Sequence, residues 1–174
     1  MKIFIMRHGE SVLEVTYDFF RPLTPRGYYE SRQIAKWMHN RSIVIEKVLI
    51  SPYLRAQQTL NAIKKDLPLP HKVDILLELI PEGIPSKIKN YLHFLETHMV
   101  KSVMIISHLP MIKNLLYTLC PQTKKIIFTT SEIICINFNT RQLLNELQWQ
   151  MSPQTIHKHH LNVNQPNTIN KITL

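Results

Sequence analysis

Three glycines, two cysteines and only 12 acidic residues are a thin supply for a chain of 174. Two thiols, Cys120 and Cys135, cannot build a disulfide framework or a four-thiolate metal site. Such sparing use of cysteine fits a reducing compartment, so a cytoplasmic location is expected. No apolar run approaches the length of a membrane span. The apolar residues ahead of Arg7 are too few for a signal-peptide core. The 11 prolines are spread along the chain, which leaves no proline-rich linker, and no internal repeat is visible. The length suits one domain with a proper core. Its expected span is residues 1–155, followed by a polar, loosely ordered tail over 156–174.

What the chain has in excess is positive charge. Lysine and arginine number 21, giving a formal net charge of +9. The cations are scattered, with no long basic run and no basic motif interleaved with aromatics. Nucleic acid is therefore not the expected partner. A basic surface suits a phosphorylated or acidic partner at least as well.

Apolar patterning gives the order of elements. "KIFIM" reads as a buried strand that runs straight into Arg7, His8 and Gly9. Leu23-Thr24-Pro25 carries helix-start chemistry, with Thr24 as cap and Pro25 in the first turn. "KVLIS" reads as a second strand, and Ser51-Pro52 as another cap and first-turn proline. "VDILLEL" reads as strand then loop. Ile88, Tyr91, Leu92 and Leu95 follow helical spacing. "SVMII" is a strand ending at Ser107-His108, followed by a helix carrying Met111, Ile112, Leu115, Leu116 and Leu119. Two late strands, "EIICINF" and "LLNELQWQM", complete the pattern, with a turn near 139–141. Strands alternating with helices imply a single-domain α/β fold, with a mostly parallel central sheet flanked by helices.

Three of these strands end in similar equipment. The first ends at Arg7-His8, the second leads to Arg55 in the next helical turn, and the fourth ends at His108. In open α/β sheets ligands bind outside the carboxyl ends of the strands, so these residues can converge. Arg21, at the end of the first loop, can reach the same place. His108 alone would read as a core histidine and Arg55 alone as a solvated helix residue. Together at successive strand ends, and without acidic partners, they describe a site for a dianionic phosphoryl group. Guanidinium forks match its oxygens, and a neutral imidazole can attack phosphorus.

The ordered segments "MRHGES", "RPLTPRG", "SPYLRAQQT" and "ISHLP" resemble the successive motifs of the histidine phosphatase superfamily, and most closely its small SixA-type phosphohistidine phosphatases. The resemblance runs from Met1 to the "WQMSP" ending at Pro153. It implies a phosphoglycerate mutase-like fold and a phospho-enzyme mechanism with His8 as nucleophile. Arg7, Arg55 and His108 would form the phosphate pocket, with Arg21 as a further contact. No metal and no organic cofactor is implied. The implied substrate is a histidine-phosphorylated protein, such as the phosphotransfer domain of a hybrid sensor kinase in a two-component relay.

Many superfamily members carry an acidic residue after the third strand that protonates an alcohol leaving group. Glu78 is the nearest match here, with Glu82 close by. A phosphoramidate bond needs such an acid less, because imidazole leaves more readily than an alkoxide. The segment 67–102 is too short to cover the site, which suits a substrate displayed on a protein surface. Two other readings use the same residues: a small-molecule phosphomonoesterase or mutase, and a module that binds a phosphoryl group without turnover. His157, His159 and His160 in "HKHH" read as tail residues rather than a metal site. Trp37 and Trp149 read as packing residues.

Overall fold

The computed structural model describes residues 1–124, 126–139 and 145–163. Six strands form one sheet in the order β3-β2-β4-β1-β5-β6. They are β1 (Lys2–Arg7), β2 (Lys47–Ile50), β3 (Val73–Ile75), β4 (Ser102–Ser107), β5 (Ile133–Asn137) and β6 (Glu146–Met151). The first four run parallel, with Arg7 in register with Ser107, whereas β5 and β6 pair antiparallel. Parallel strands buried on both faces need helices on both faces. Five helices cover this sheet: α1 (Pro25–His39), α2 (Leu54–Ile63), α3 (Pro85–Thr97), α4 (Met111–Leu119) and α5 (Pro153–Val163). The expected α/β architecture, a mostly parallel sheet flanked by helices, is the one observed, and the two late strands make the sheet mixed.

Strand alternation divides the core in two. Ile3 and Ile5 point with Val103 and Ile105 toward α3 and α4, where Ile88, Leu92, Leu115 and Leu116 meet them. Phe4 and Met6 point with Met104 and Ile106 toward α1 and α2, against Ile34, Met38 and Ile63. Trp149 rests on Phe4 and Trp37 at the sheet edge, so both tryptophans are packing residues.

Thr24 caps α1 as its sequence suggests, accepting from the Gly27 amide, with Pro25 opening the helix. Ser51-Pro52 behaves differently. Helix α2 begins two residues later, at Leu54, and no side chain caps it. The expected tail boundary at 155 falls inside α5. Ser152, just before that helix, caps it by accepting from the Thr155 amide, and the helix buries Ile156 against the α1 side of the core. Its polar sequence hid Ile156 as an apolar anchor. The side chains of His159 and His160 and all of 164–174 lie outside the described residues, as does most of the turn expected near 139–141.

Candidate active site

His8 follows directly on β1 and is locked by its backbone. Its amide donates to the Ser107 carbonyl at 3.0 Å, and its own carbonyl accepts from the Ser131 amide at 3.1 Å. The ends of β1 and β4 therefore fix where the imidazole sits. Gly9 turns the chain against α1. A Cβ there would stand 2.7 Å from the Gly27 carbonyl oxygen, and one on Gly27 would stand 2.1 Å from that of Glu10. Two of the three glycines thus serve a close approach of loop to helix. Thr59 ties this loop to α2, accepting from the Gly9 amide and donating to the Arg55 carbonyl.

The sequence-expected residues meet at this spot. Arg55 Nε lies 3.2 Å from His8 Nε2 and 3.1 Å from His108 Nδ1, sharing one proton between two acceptors. His8 Nδ1 lies 2.7 Å from the Gly9 carbonyl, so it carries the ring proton and leaves a lone pair on Nε2. His108 has the opposite tautomer, because its Nε2 donates to Ser51 Oγ at 2.7 Å. The serine that reads as a helix cap is thus the partner of a site histidine.

Electrostatics holds both rings neutral. Burial, reinforced by Arg55, Arg7 and Arg21, pushes His8 down from 6.5 to about 3 despite the bond to Gly9. His108 falls to about 2, again chiefly through burial, with His8 and the same arginines adding to it. A neutral imidazole with a lone pair aimed into a cationic pocket is equipped to attack an electrophilic phosphorus.

Arg7 hangs from the Phe128 carbonyl through Nη1, at 2.8 Å. Its Nε is buried without a hydrogen-bond partner. A buried guanidinium donor in that state fits an anionic oxygen arriving beside His8. Arg21 lines the same cavity of about 510 Å³ as Arg7 and His8, and it is held by Val12 O, Ser11 Oγ and Asp18 Oδ1.

Asp18 is the residue that sequence reasoning missed. The arginines were expected to lack acidic partners, yet the Asp18 carboxylate reaches Arg55 Nη2 and Arg21 Nη1, each at 2.9 Å. Its carbonyl also accepts from Arg55 Nη1 at 2.6 Å. These contacts anchor both ends of the Arg55 fork and leave Nε between the histidines. Burial alone would raise the Asp18 carboxyl, but the bonds from Arg55 and Arg21 outweigh it and hold it below the usual carboxylate range. Asp18 is therefore ionised at neutral pH and is no proton donor. Its only sequence signal is its place three residues before Arg21.

Glu78 stands apart. It sits in a 3₁₀ turn, Leu77–Leu79, with Lys87 Nζ at 3.5 Å, and no described hydrogen bond joins it to His8, Arg55 or His108. Glu82 is closer in effect. Burial first, and then the charge of Glu82, raises the Tyr53 phenol, and the Tyr53 ring packs 5.0 Å from His108.

Two imidazoles and three guanidiniums gather near the carboxyl ends of the parallel strands, an arrangement chemically suited to a phosphoryl group, and the chain belongs to the histidine phosphatase superfamily (branch 1), whose sequence profile matches residues 3–79. Within it, the chain groups with the SixA-type phosphohistidine phosphatases, which are hydrolases. It is 42% identical to the phosphohistidine phosphatase SixA of Escherichia coli K12 over 153 residues, covering 88% of this chain and 94% of that one. It is 35% identical to the SixA homolog of Haemophilus influenzae, over 76% of this chain and 85% of the other. A solved structure of the protein histidine phosphatase SixA complexed with tungstate superposes with a TM-score of 0.86 at 41% identity, covering 90% of this chain and 99% of that one.

Proposed function

We propose that this chain removes phosphoryl groups from a histidine on a signalling protein, through a transient phospho-His8. The observation that carries this reading is the state of His8. Its ring is neutral, its Nδ1 proton is committed to Gly9, and its Nε2 lone pair lies beside Arg55 and His108. In the first step Nε2 bonds to phosphorus as the phosphorus–nitrogen bond of the substrate breaks, and the departing imidazole takes a proton from solvent. Arg7, Arg55 and Arg21 hold the phosphoryl oxygens as charge shifts among them. In the second step water attacks phosphorus, phosphate leaves, and His8 regains its lone pair.

The substrate class follows from what surrounds the leaving group. An alkoxide needs a positioned acid, whereas imidazole is protonated readily near neutral pH. Asp18 is ionised, and Glu78 is paired with Lys87 outside the network. Phosphohistidine fits this arrangement better than an alkyl phosphate does. The E. coli relative, a phosphohistidine phosphatase by name, supports the same choice. The partner we propose is a phosphotransfer domain of a hybrid sensor kinase, drained by this phosphatase in a cytoplasmic two-component relay. Among the described residues, no helix is long and apolar enough to cross a membrane.

The test sets a phosphorylated phosphotransfer domain beside a simple alkyl phosphate with the same purified protein. The reading expects fast turnover of the first and poor turnover of the second. Selective hydrolysis of the alkyl phosphate would instead establish the small-molecule alternative. Phosphate binding without turnover of either would leave a binding module.

A further inference from the structure

We propose that residues 12–20 form a docking rim that seats an apolar face of the phosphohistidine-bearing protein around its phosphorylated residue; this rests on the phosphoprotein reading above. The chain leaves 14 large hydrophobic residues exposed among those described, and six of them fall in these nine positions: Val12, Leu13, Val15, Tyr17, Phe19 and Phe20. Leu13 is 78% exposed, Tyr17 68% and Phe20 61%. Scattered single apolar residues need no explanation, but a cluster beside a reaction centre marks an interaction site.

The loop is held in a way that presents these side chains outward. At its feet, Ser11 bridges to Leu23 and the Val12 amide donates to the Pro22 carbonyl at 2.9 Å. At its middle, the polar groups of Asp18 are turned inward to Arg55 and Arg21. Polar anchors face the pocket and Phe19 packs on Tyr53 at 5.0 Å, while Leu13, Tyr17 and Phe20 face out.

The rim is continuous with the chemistry. Val12, Leu13 and Glu14 wall the same cavity as Arg7, Arg21 and His8. Tyr17 and Phe20 extend the apolar surface beyond the residues that line the cavity. Free phosphohistidine fills the cavity and does not reach them, so this outer rim has a role only for a macromolecular substrate. Charge refines the partner. Residues 12–20 hold Glu14 and Asp18 and no cation, in a chain with net charge +9. Asp18, though half-exposed, is paired with two arginines, and Glu14 is exposed. The matching face is therefore apolar, with a lysine or arginine at the edge that meets Glu14.

The experiment measures two phosphohistidine probes, a phosphorylated phosphotransfer domain and free phosphohistidine. The proteins are wild type, a double variant (Tyr17→Ser, Phe20→Ser) at exposed positions that do not line the cavity, and the single Tyr17→Asp. We expect kcat/KM for the domain to fall about tenfold or more in the double variant, through KM. Tyr17→Asp should show a smaller loss in the same direction, and free phosphohistidine should be hydrolysed at the wild-type rate throughout. Unchanged kcat/KM on the domain, or equal losses on both probes, would overturn the rim as a docking surface. So would a wild type that hydrolyses free phosphohistidine and ignores the domain. A wild type inactive on both probes refutes the phosphohistidine reading itself, an outcome visible without any variant. Co-sedimentation with mixed phosphatidylcholine and phosphatidylserine vesicles completes the set. Rim-dependent vesicle binding with unaltered turnover of the domain would assign the surface to a membrane and reject the proposal.

Discussion

The floor of the pocket and the wall beyond β3 are built to different standards. On the floor, His8, Arg55 and His108 come from three separate strand ends and share a single guanidinium proton, with Ser51, Gly9 and Asp18 fixing their outer bonds. On the wall, Glu78 rides a 3₁₀ turn, is partly buried and meets a lysine. Precise geometry is thus concentrated around the proposed nucleophile and is missing around the proposed acid. The contrast points to a substrate whose leaving group needs little help.

Breaking the floor should have the largest effect. His8→Ala removes the proposed nucleophile and should cost at least about a thousandfold in turnover, while circular dichroism stays native. Arg55→Lys keeps the charge but loses the fork that joins Nε to the histidines and Nη groups to Asp18. A loss of about tenfold or more in kcat/KM is expected, equivalent to about 1.4 kcal/mol. Normal kinetics in that variant would remove Arg55 from the site.

The floor also carries a pH signature. Both histidines are held far below their ordinary 6.5 in the folded protein, at about 3 and about 2. Below 6.5 the unfolded chain takes up protons that the folded site refuses, so stability is lost as pH falls through that window. Each histidine contributes a slope of up to about 1.4 kcal/mol per pH unit. Urea titrations at several pH values should show this decline, and His8→Asn should reduce its slope to about half, leaving the contribution of His108. A flat profile in the wild type would mean that the rings are not buried neutral.

The wall should matter least. Glu78→Gln, alone or with Glu82→Gln, should lower phosphohistidine turnover by less than about tenfold, below the usual contribution of general acid–base catalysis. If Glu78→Gln abolishes a strong alkyl-phosphatase activity and its acid limb, the comparison between floor and wall fails.

Two Ser-Pro pairs show how far local sequence reaches. Ser152-Pro153 starts α5, with Ser152 capping Thr155, whereas Ser51 spends its hydroxyl on His108, 57 residues away. The dipeptide is the same, and only the fold decides its partner. The strand-end residues were legible because strand direction alone brings Arg7, His8, Arg55 and His108 to one edge. Asp18 was not, because its value depends on a loop folding back 37 residues to Arg55. Helix α5 was hidden for a related reason. Its composition is polar, and it is held by Ile156 meeting a core face that exists only after folding.

The central claim is that the phosphoryl group passes through His8. Rapid quench of the enzyme with a phosphotransfer domain labelled on phosphorus tests it directly. A transient, acid-labile label that maps to His8, and that is absent from His8→Ala, is the predicted result. Label on any other residue, or full turnover with no covalent label at any time, would contradict it.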